Sequence, residues 1–238
     1  VAHEVGTPLH SIAWLVEALV EEPGVTSEMK TRIGIIDEQL NRVVRIIQDL
    51  LTSTRQRKPD PTWYPSERLI DPVVALMEAG FRAKGVTLRT EVMRPAPLAW
   101  ADAEKIHQVL VNLLTNALAA TVSGGEVTVT VGTRQASADA AEAAKRTGRA
   151  DLDTMVTMVV RDNGCGMPPE DLQRAFQPFF TTKAAGRGTG LGLFLSREAV
   201  SAHGGELTIE SEVGKGTTVT IVLPALKADL VAAEQRTA

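Results

Sequence analysis

Hydrophobic residues in the first part of the chain recur with the spacing of two amphipathic helices. The first set is spaced 4, 3, 4 and 3 residues apart: Val5, Leu9, Ile12, Val16 and Leu19. The second set continues the same alternation: Met29, Ile33, Ile36, Leu40, Val43, Ile47 and Leu50. Glu21–Gly24 breaks the pattern between them, and Thr26 or Ser27 offers an N-cap for the second helix. The pattern predicts a helical hairpin.

A single hairpin has too little core to be stable alone. We therefore expect it to pair with a second copy of the chain, which would make a dimeric four-helix bundle. The alternative is that the hairpin folds onto the rest of its own chain.

The pattern changes to mixed α/β beyond a segment with three prolines, Arg55–Pro65, which predicts a stiff, exposed linker. Alternating or β-branched runs predict strands at Val86–Val92, Val127–Gly132, Met155–Arg161, Leu207–Glu210 and Thr217–Leu223. Helical periodicity predicts helices at Ser66–Lys84, Ala103–Ala120, Pro169–Ala175 and Leu191–His203. The Ala-rich, polar stretch Thr133–Asp153 is expected to be an extended loop between two strands.

These patterns predict four parts of the chain and an α plus α/β fold class. Residues 1–58 form the helical hairpin, residues 59–65 the linker, residues 66–225 an α/β domain and residues 226–238 a C-terminal tail.

Composition excludes several classes of function. The net charge of −4 gives no basic footprint for nucleic acid or an anionic membrane. The single cysteine, Cys165, excludes an internal disulfide framework and fits a reducing cytoplasm. No apolar run approaches the roughly 18–20 residues that span a bilayer. We also expect no signal peptide, because no basic segment followed by an apolar one opens the sequence. We expect a cytoplasmic fragment without membrane contact, whose missing upstream part leaves open an anchor in the full-length protein.

Two amides on the second α/β helix are candidate ligands for a metal. Asn112 and Asn116 are four residues apart, so they lie on one helical face. Amide oxygens are hard ligands that suit Mg²⁺ without adding negative charge beside a triphosphate. The alternative is that both amides face solvent, but neighbouring leucines indicate that this helix is largely buried, where unsatisfied amides are costly.

A second candidate is the segment Asp162–Met167, directly after a predicted strand. A strand-terminal Asp162 can accept a hydrogen bond from an exocyclic amine such as that of adenine. Gly164 and Gly166 would let the backbone pass close to a flat ring. Alone, this pattern is only a turn signature.

A third candidate is the glycine-rich segment Gly186–Leu193, which opens an apolar helix. Free N–H groups and the positive end of the helix dipole favour an anion there. Its spacing matches neither a Walker motif nor a dinucleotide fingerprint. The aromatic segment Phe176–Lys183 before it suggests a lid. Lys183 or Arg187 is a candidate phosphate contact, and the alternative for each is a solvated surface charge.

Together the segments Asn112–Asn116, Asp162–Gly166, Phe176–Lys183 and Gly188–Gly192 resemble, in the same order, the N, G1, F and G2 boxes of the histidine kinase catalytic domain. That domain belongs to an ATPase group shared with gyrase B, the heat-shock 90 chaperones and the MutL proteins. The resemblance covers about Pro65 to Pro224. It implies a two-layer α/β sandwich of the Bergerat type that holds ATP under a lid.

The resemblance also implies the role of each residue. Mg²⁺ is held by Asn116 with help from Asn112. ATP is contacted by Asn112, Asn116, Asp162, Gly164, Gly166, Lys183, Gly188, Thr189, Gly190, Leu191 and Gly192.

The opening segment His3–Leu9 resembles the H box of the kinase dimerisation domain. His3 and Thr7 lie one turn apart on a stripe separate from the apolar one. The neutral imidazole of His3 has a free lone pair for a phosphoryl group, and Glu4 can orient the proton on its other nitrogen. By resemblance, Thr7 positions water for hydrolysis of a partner's aspartyl phosphate. The other histidines, His10, His107 and His203, are interpreted as structural or surface residues.

The expected function is therefore that of a sensor histidine kinase core. ATP phosphorylates His3, and the phosphoryl group passes to an Asp of a response-regulator receiver domain, with phosphatase activity toward that regulator as a further possibility. Two alternatives are an ATP-dependent conformational machine of the gyrase or chaperone type, and a non-catalytic scaffold that binds ATP or docks a regulator.

Overall fold

The structure is a computed structural model that describes residues 26–29, 31–36, 59–136, 154–183 and 189–226. The chain divides into two compact units, one made of Val1–Gln56 with Gln177–Gly192 and the other of Arg57–Phe176 with Leu193–Ala238. Most of the predicted helical hairpin, residues 137–153 of the predicted loop and residues 227–238 of the predicted tail lie outside the described residues. The loop prediction is wrong for Thr133–Gln135, which extend a strand.

The first unit contains the start of the predicted second helix. Residues 27–29 and 31–36 are helical, and Thr26 Oγ1 accepts a hydrogen bond from the Met29 N–H at 3.2 Å. Thr26 is therefore the N-cap, which decides between the two residues that the sequence offered. Met29 and Ile36 of the predicted apolar stripe are more than half exposed.

The second unit contains the described strands and helices of a mixed α/β fold. They are β1 (Thr62–Pro65), α1 (Ser66–Lys84), β2 (Thr87–Val92), β3 (Leu98–Ala101), α2 (Ala103–Ala120), β4 (Glu126–Gln135), β5 (Thr154–Asp162), α3 (Pro169–Arg174), α4 (Gly192–Ala202, which begins at the last residue of the first unit), β6 (Glu206–Glu212) and β7 (Gly216–Leu226). In the described part of the chain, no helix is long and apolar enough to cross a membrane.

The strands form a mixed sheet in the order β1-β3-β7-β5-β4-β2, with β6 paired to β7 outside this path. The pair β2 and β4 is parallel, and the other paired strands are antiparallel. The register places Asp162 at the end of β5, opposite Val127 of β4 and Thr217 of β7. This sheet edge therefore brings together the end of β5 and the start of β7.

Burial along the strands shows that the fold has two layers. In β4, Val127, Val129 and Val131 are buried, whereas Thr128 and Thr130 between them are half-buried. Side chains alternate between the two faces of a strand, so one face of the sheet lies on the core. The apolar faces of α1 and α2 join that core through Leu69, Ile70, Val73, Phe81, Ile106, Val109, Leu110, Leu113 and Leu114. The prediction of a two-layer α/β domain is confirmed.

The linker prediction is wrong for its last four residues. Thr62–Pro65 form strand β1, which pairs with β3, and neither strand was predicted. Trp63 and Trp100 lie opposite each other in this pair, with ring centroids 5.0 Å apart in an edge-to-face arrangement. Aromatic cross-strand pairs of this kind stabilise a sheet, and they offset the weak strand signal of a segment that ends in proline.

Candidate functional site

Asn112 and Asn116 lie on one face of α2, as predicted, and both are half-buried. Their helix is anchored by burial of Ile106, Val109, Leu110, Leu113 and Leu114. The Asn112 amide nitrogen Nδ2 donates a hydrogen bond to the Ser196 hydroxyl of α4 at 3.0 Å. The α2 helix thus holds two amides at the helical spacing required for joint binding of one ligand.

Asp162 ends β5 and is 6% exposed. Its Oδ1 accepts hydrogen bonds from the Gly164 N–H at 2.9 Å and from the Thr217 N–H at 3.3 Å. Burial raises the pKa of this carboxyl above its ordinary value, and the two backbone hydrogen bonds partly oppose the rise. Because both hydrogen bonds end on Oδ1, Oδ2 is the oxygen that the carboxyl can offer to a ligand.

The segment after Asp162 is held by the backbone around it. The Cys165 N–H donates to the Ala120 carbonyl at the end of α2, and the Cys165 carbonyl accepts from the Gly214 N–H. The Met167 N–H donates to Ser211 Oγ at 2.9 Å. These contacts attach the segment to α2 and to the β6–β7 turn, so its backbone is held in place on both sides.

The glycines of this segment have a structural reason that the sequence did not reveal. A side chain at Gly166, whose φ is +66°, would overlap the Glu212 carbonyl, and one at Gly164 would press on the Ala120 carbonyl. Only glycine allows the chain to pass so close to both neighbours. The hypothesis that these glycines approach a flat ring stays a prediction.

The first unit contains residues 177–183 of the aromatic segment and residues 189–192 of the glycine-rich segment. Phe179 has a positive φ of 67°, and a side chain at Gly190 would overlap the Phe179 backbone. Thr189 Oγ1 accepts from the Leu191 N–H at 3.4 Å, just before α4 begins at Gly192. Within this unit, therefore, the two ends of the segment lie against each other. Gly188 and Arg187 lie outside the described residues.

Lys183 is the basic residue of this segment that the structure describes. It is half-buried, and burial lowers the pKa of its ammonium group from the ordinary value. A desolvated ammonium group interacts strongly with an anion, so this environment is compatible with the predicted phosphate contact.

The donor set fits a magnesium ion that arrives with a nucleotide. Among the described residues, no cluster of three or more His, Cys, Asp or Glu side chains is positioned to hold a metal. The oxygen donors on the face of α2 are the neutral amides of Asn112 and Asn116. Mg²⁺ is commonly bound by few protein ligands together with substrate phosphates, which matches so sparse a set.

Sequence reasoning missed the supporting residues Ser196, Ser211 and Thr217. Ser196 is 3% exposed and contacts Asn112, although they are 84 positions apart in the chain. Ser211 and Thr217 support the Asp162 segment from β6 and β7. The one signal for Ser196 is its polar position within an apolar helix, which does not identify the partner.

The described histidines outside the site are His107 and His203. His203 is 1% exposed, and both of its ring nitrogens are hydrogen-bonded, one to the Asp102 N–H and one to the Ala199 carbonyl. The nitrogen Nε2 of His107 lies 3.3 Å from the Arg68 carbonyl. The interpretation of these two as structural or surface residues agrees with these contacts. His3, Glu4, Thr7 and His10 lie outside the described residues.

Comparison with known proteins assigns two families to the chain. Residues 101–227 match the profile of the histidine kinase-, DNA gyrase B- and HSP90-like ATPases. Residues 1–59 match the profile of the His Kinase A phospho-acceptor domain. Among curated relatives, the chain is 33% identical over 228 residues to the sensor kinase CckA of Brucella abortus, covering 95% of this chain and 24% of CckA.

Two solved structures are similar over almost the whole chain. Full-length ShkA in complex with AMPPNP aligns with a TM-score of 0.66 and 25% identity, covering 95% of this chain and 45% of ShkA. The histidine kinase ThkA in complex with the response regulator TrrA aligns with a TM-score of 0.64 and 25% identity, covering 94% of this chain and 60% of ThkA.

The chain spans from about a quarter to under half of the length of the curated relatives it matches. The Asp162 carboxyl, the paired amides of α2 and the glycine-rich start of α4 all lie within the ATPase match. The histidine-containing opening segment lies within the phospho-acceptor match. The chain therefore belongs to the histidine kinase-, DNA gyrase B- and HSP90-like ATPases, and its phospho-acceptor domain identifies it as a sensor histidine kinase of the two-component type.

Proposed function

We propose that this chain is the catalytic core of a protein histidine kinase, which transfers the γ-phosphoryl group of ATP to His3. The proposal rests on two matches found in the same chain. Residues 1–59 match a phospho-acceptor domain, and residues 101–227 match an ATPase domain. A gyrase- or chaperone-type ATPase does not require a phospho-acceptor domain. No finding favours the second alternative, a non-catalytic scaffold.

Adenine recognition is assigned to Asp162. Its Oδ1 is occupied by the Gly164 and Thr217 N–H groups, which leaves Oδ2 to accept the exocyclic amine of adenine. The segment that follows is held by backbone hydrogen bonds at Cys165 and Met167, which supports a fixed position for this contact. Support for a nucleotide at such a site also comes from ShkA, whose structure was determined with AMPPNP.

Phosphate binding is assigned to the glycine-rich segment and to Lys183. The glycine-rich residues Gly188–Gly192 offer backbone N–H groups at the start of α4, and Lys183 adds a cation. The amides of Asn116 and Asn112 would hold Mg²⁺. When bound, this ion supplies charge neutralisation for the phosphates. Phosphoryl transfer depends mainly on positioning and electrostatics, so this sparse set suffices.

The acceptor is assigned to His3. Glu4 holds the proton on one ring nitrogen, which leaves the lone pair of the other nitrogen available for in-line attack on the γ-phosphorus. A new N–P bond forms as the bond to the ADP leaving oxygen breaks. Thr7, four residues later in the sequence, is assigned to orient water for hydrolysis of the partner's aspartyl phosphate.

The partners are assigned as a second copy of the chain and a response-regulator receiver domain. More than half of Met29 and of Ile36 is exposed on the helix that would form the bundle, which supports burial against another hairpin. The ThkA structure, which contains the response regulator TrrA, supports the second partner. The acceptor on that partner would be an Asp carboxylate.

The test is incubation of the full chain with γ-labelled ATP and Mg²⁺, with His3→Gln and His10→Gln as matched variants. We expect acid-labile, base-stable label on the unmodified chain and on His10→Gln, and none on His3→Gln. Label that survives in His3→Gln would contradict the assignment of the acceptor. Nucleotide binding without any label would contradict the kinase proposal and favour a scaffold.

A further inference from the structure

The side chains of Ser196 and Asn112 join α4 to α2. The Asn112 Nδ2 donates to Ser196 Oγ at 3.0 Å, and Ser196 is 3% exposed. Asn112 itself is half-buried, so this contact does not enclose its side chain completely.

The orientation of this amide decides its chemistry. An asparagine amide has a donor end, which cannot bind a cation, and an acceptor end, which can. A hydroxyl that accepts from Nδ2 keeps the nitrogen turned toward α4. The oxygen Oδ1 is then the end available on the face that Asn112 shares with Asn116, four residues later.

We propose that Ser196 is a positioning residue for the magnesium site, because its hydroxyl accepts from Asn112 Nδ2 and so holds the amide with Oδ1 turned away from α4. This inference rests on the proposed function, since it needs a nucleotide-bound Mg²⁺ beside the α2 amides. Ser196 itself touches neither nucleotide nor metal. Without its hydroxyl, the amide loses the hydrogen bond that favours this orientation, and orientations that present Nδ2 compete with binding of the ion.

A purely structural role for Ser196 has a different signature. Loss of a packing contact between α2 and α4 would lower the stability of the domain and weaken nucleotide binding to the same degree with and without Mg²⁺. Loss of amide orientation would affect the Mg²⁺-dependent part alone. The two explanations are therefore separated by the magnesium dependence of nucleotide affinity.

The experiment measures binding of a fluorescent ADP analogue to the full chain over a Mg²⁺ titration. For Ser196→Ala we expect a higher Mg²⁺ requirement. The Mg²⁺ concentration that gives half of its effect on nucleotide affinity should rise roughly threefold to tenfold, which corresponds to loss of one ordinary hydrogen bond. Nucleotide affinity in EDTA should stay within about twofold of the unmodified chain, because the adenine contact is intact.

Two matched variants control for the cavity that alanine leaves. Ser196→Thr and Ser196→Val have nearly the same shape, and only threonine keeps the hydroxyl. We expect threonine to behave like the unmodified chain and valine to behave like alanine. In addition, Ser196→Ala combined with Asn112→Ala should need no more Mg²⁺ than Asn112→Ala alone, since both changes remove the same interaction.

Each remaining outcome overturns a specific statement. Three outcomes would overturn the positioning role of Ser196. The first is an equal loss of nucleotide affinity in Ser196→Ala with and without Mg²⁺. The others are an equal Mg²⁺ requirement of Ser196→Thr and Ser196→Val, and additive effects of Ser196→Ala and Asn112→Ala. Nucleotide binding by the unmodified chain that ignores Mg²⁺ would also overturn it, while adenine recognition would stand. No nucleotide binding at all by the unmodified chain would instead overturn the proposed function.

Discussion

His203 accepts a hydrogen bond at Nε2 from the backbone N–H of Asp102 at 3.0 Å, across 101 positions of the chain. Its Nδ1 donates to the Ala199 carbonyl at 2.7 Å, so the ring is the neutral Nδ1–H tautomer. Asp102 is the N-cap of α2, where its Oδ1 accepts from the Lys105 N–H. The buried ring therefore ties the end of α4 to the beginning of the helix that carries Asn112 and Asn116.

Replacement of His203 by alanine should destabilise the α/β domain. The change leaves the part-buried Asp102 N–H without its acceptor, which costs about 1–3 kcal/mol of unfolding free energy, in addition to the lost packing. Urea denaturation followed by circular dichroism measures the effect. His107→Ala is the control, because His107 is more exposed, and we expect a smaller loss there. Equal losses for the two variants would contradict the bridging role of His203.

Replacement of Asp162 by asparagine should separate stability from nucleotide binding. Asparagine keeps an oxygen for the Gly164 and Thr217 N–H groups and removes a charge from a buried position, so the melting temperature should not fall. The affinity for ADP should fall roughly tenfold to a hundredfold, the effect of losing a hydrogen bond to a charged group. Unchanged affinity in calorimetric titration would contradict the adenine assignment.

The raised pKa of Asp162 predicts a pH dependence with a definite sign. Burial raises this pKa above the ordinary 3.8, so the folded chain takes up the proton before the unfolded chain does as the pH falls. The destabilisation from the buried charge is therefore present above the folded pKa and is relieved below it. Nucleotide affinity should fall over the same range, because protonation removes the acceptor. Asp162→Asn should lack this transition in a pH series of ADP titrations.

Replacement of Gly166 by alanine should be more damaging than the same change at Gly214. Both glycines have positive φ, 66° and 77°, which costs alanine about 1–2 kcal/mol. At Gly214 a Cβ meets no atom within 4 Å, whereas at Gly166 it would overlap the Glu212 carbonyl. We expect a further loss of about 1–3 kcal/mol at Gly166 in urea denaturation. Equal losses would mean that the loop moves without cost.

Long amphipathic elements were predictable because their signal is local and repeated. The helices at Ser66–Lys84 and Ala103–Ala120 have the predicted bounds. Four of the five predicted strands extend further at both ends than predicted, whereas β2 begins one residue later than predicted. Strands β1 and β3 were missed because each has four residues, too few for an alternating pattern to stand out. They are stabilised by pairing with each other and by the contact of Trp63 with Trp100, which lie 37 positions apart.

The sequence alone determined the order and spacing of the chemical groups: the histidine motif, the two asparagines, the strand-terminal aspartate and the glycine-rich start of α4. These lie in contiguous motifs, where helical and strand periods fix which side chains share a face. Only the tertiary structure decided that Asp162 accepts from Thr217, that Asn112 donates to Ser196 and that His203 supports Asp102. Such contacts join residues 55 to 101 positions apart, and their partners depend on how the sheet and helices pack. No local pattern carries that information.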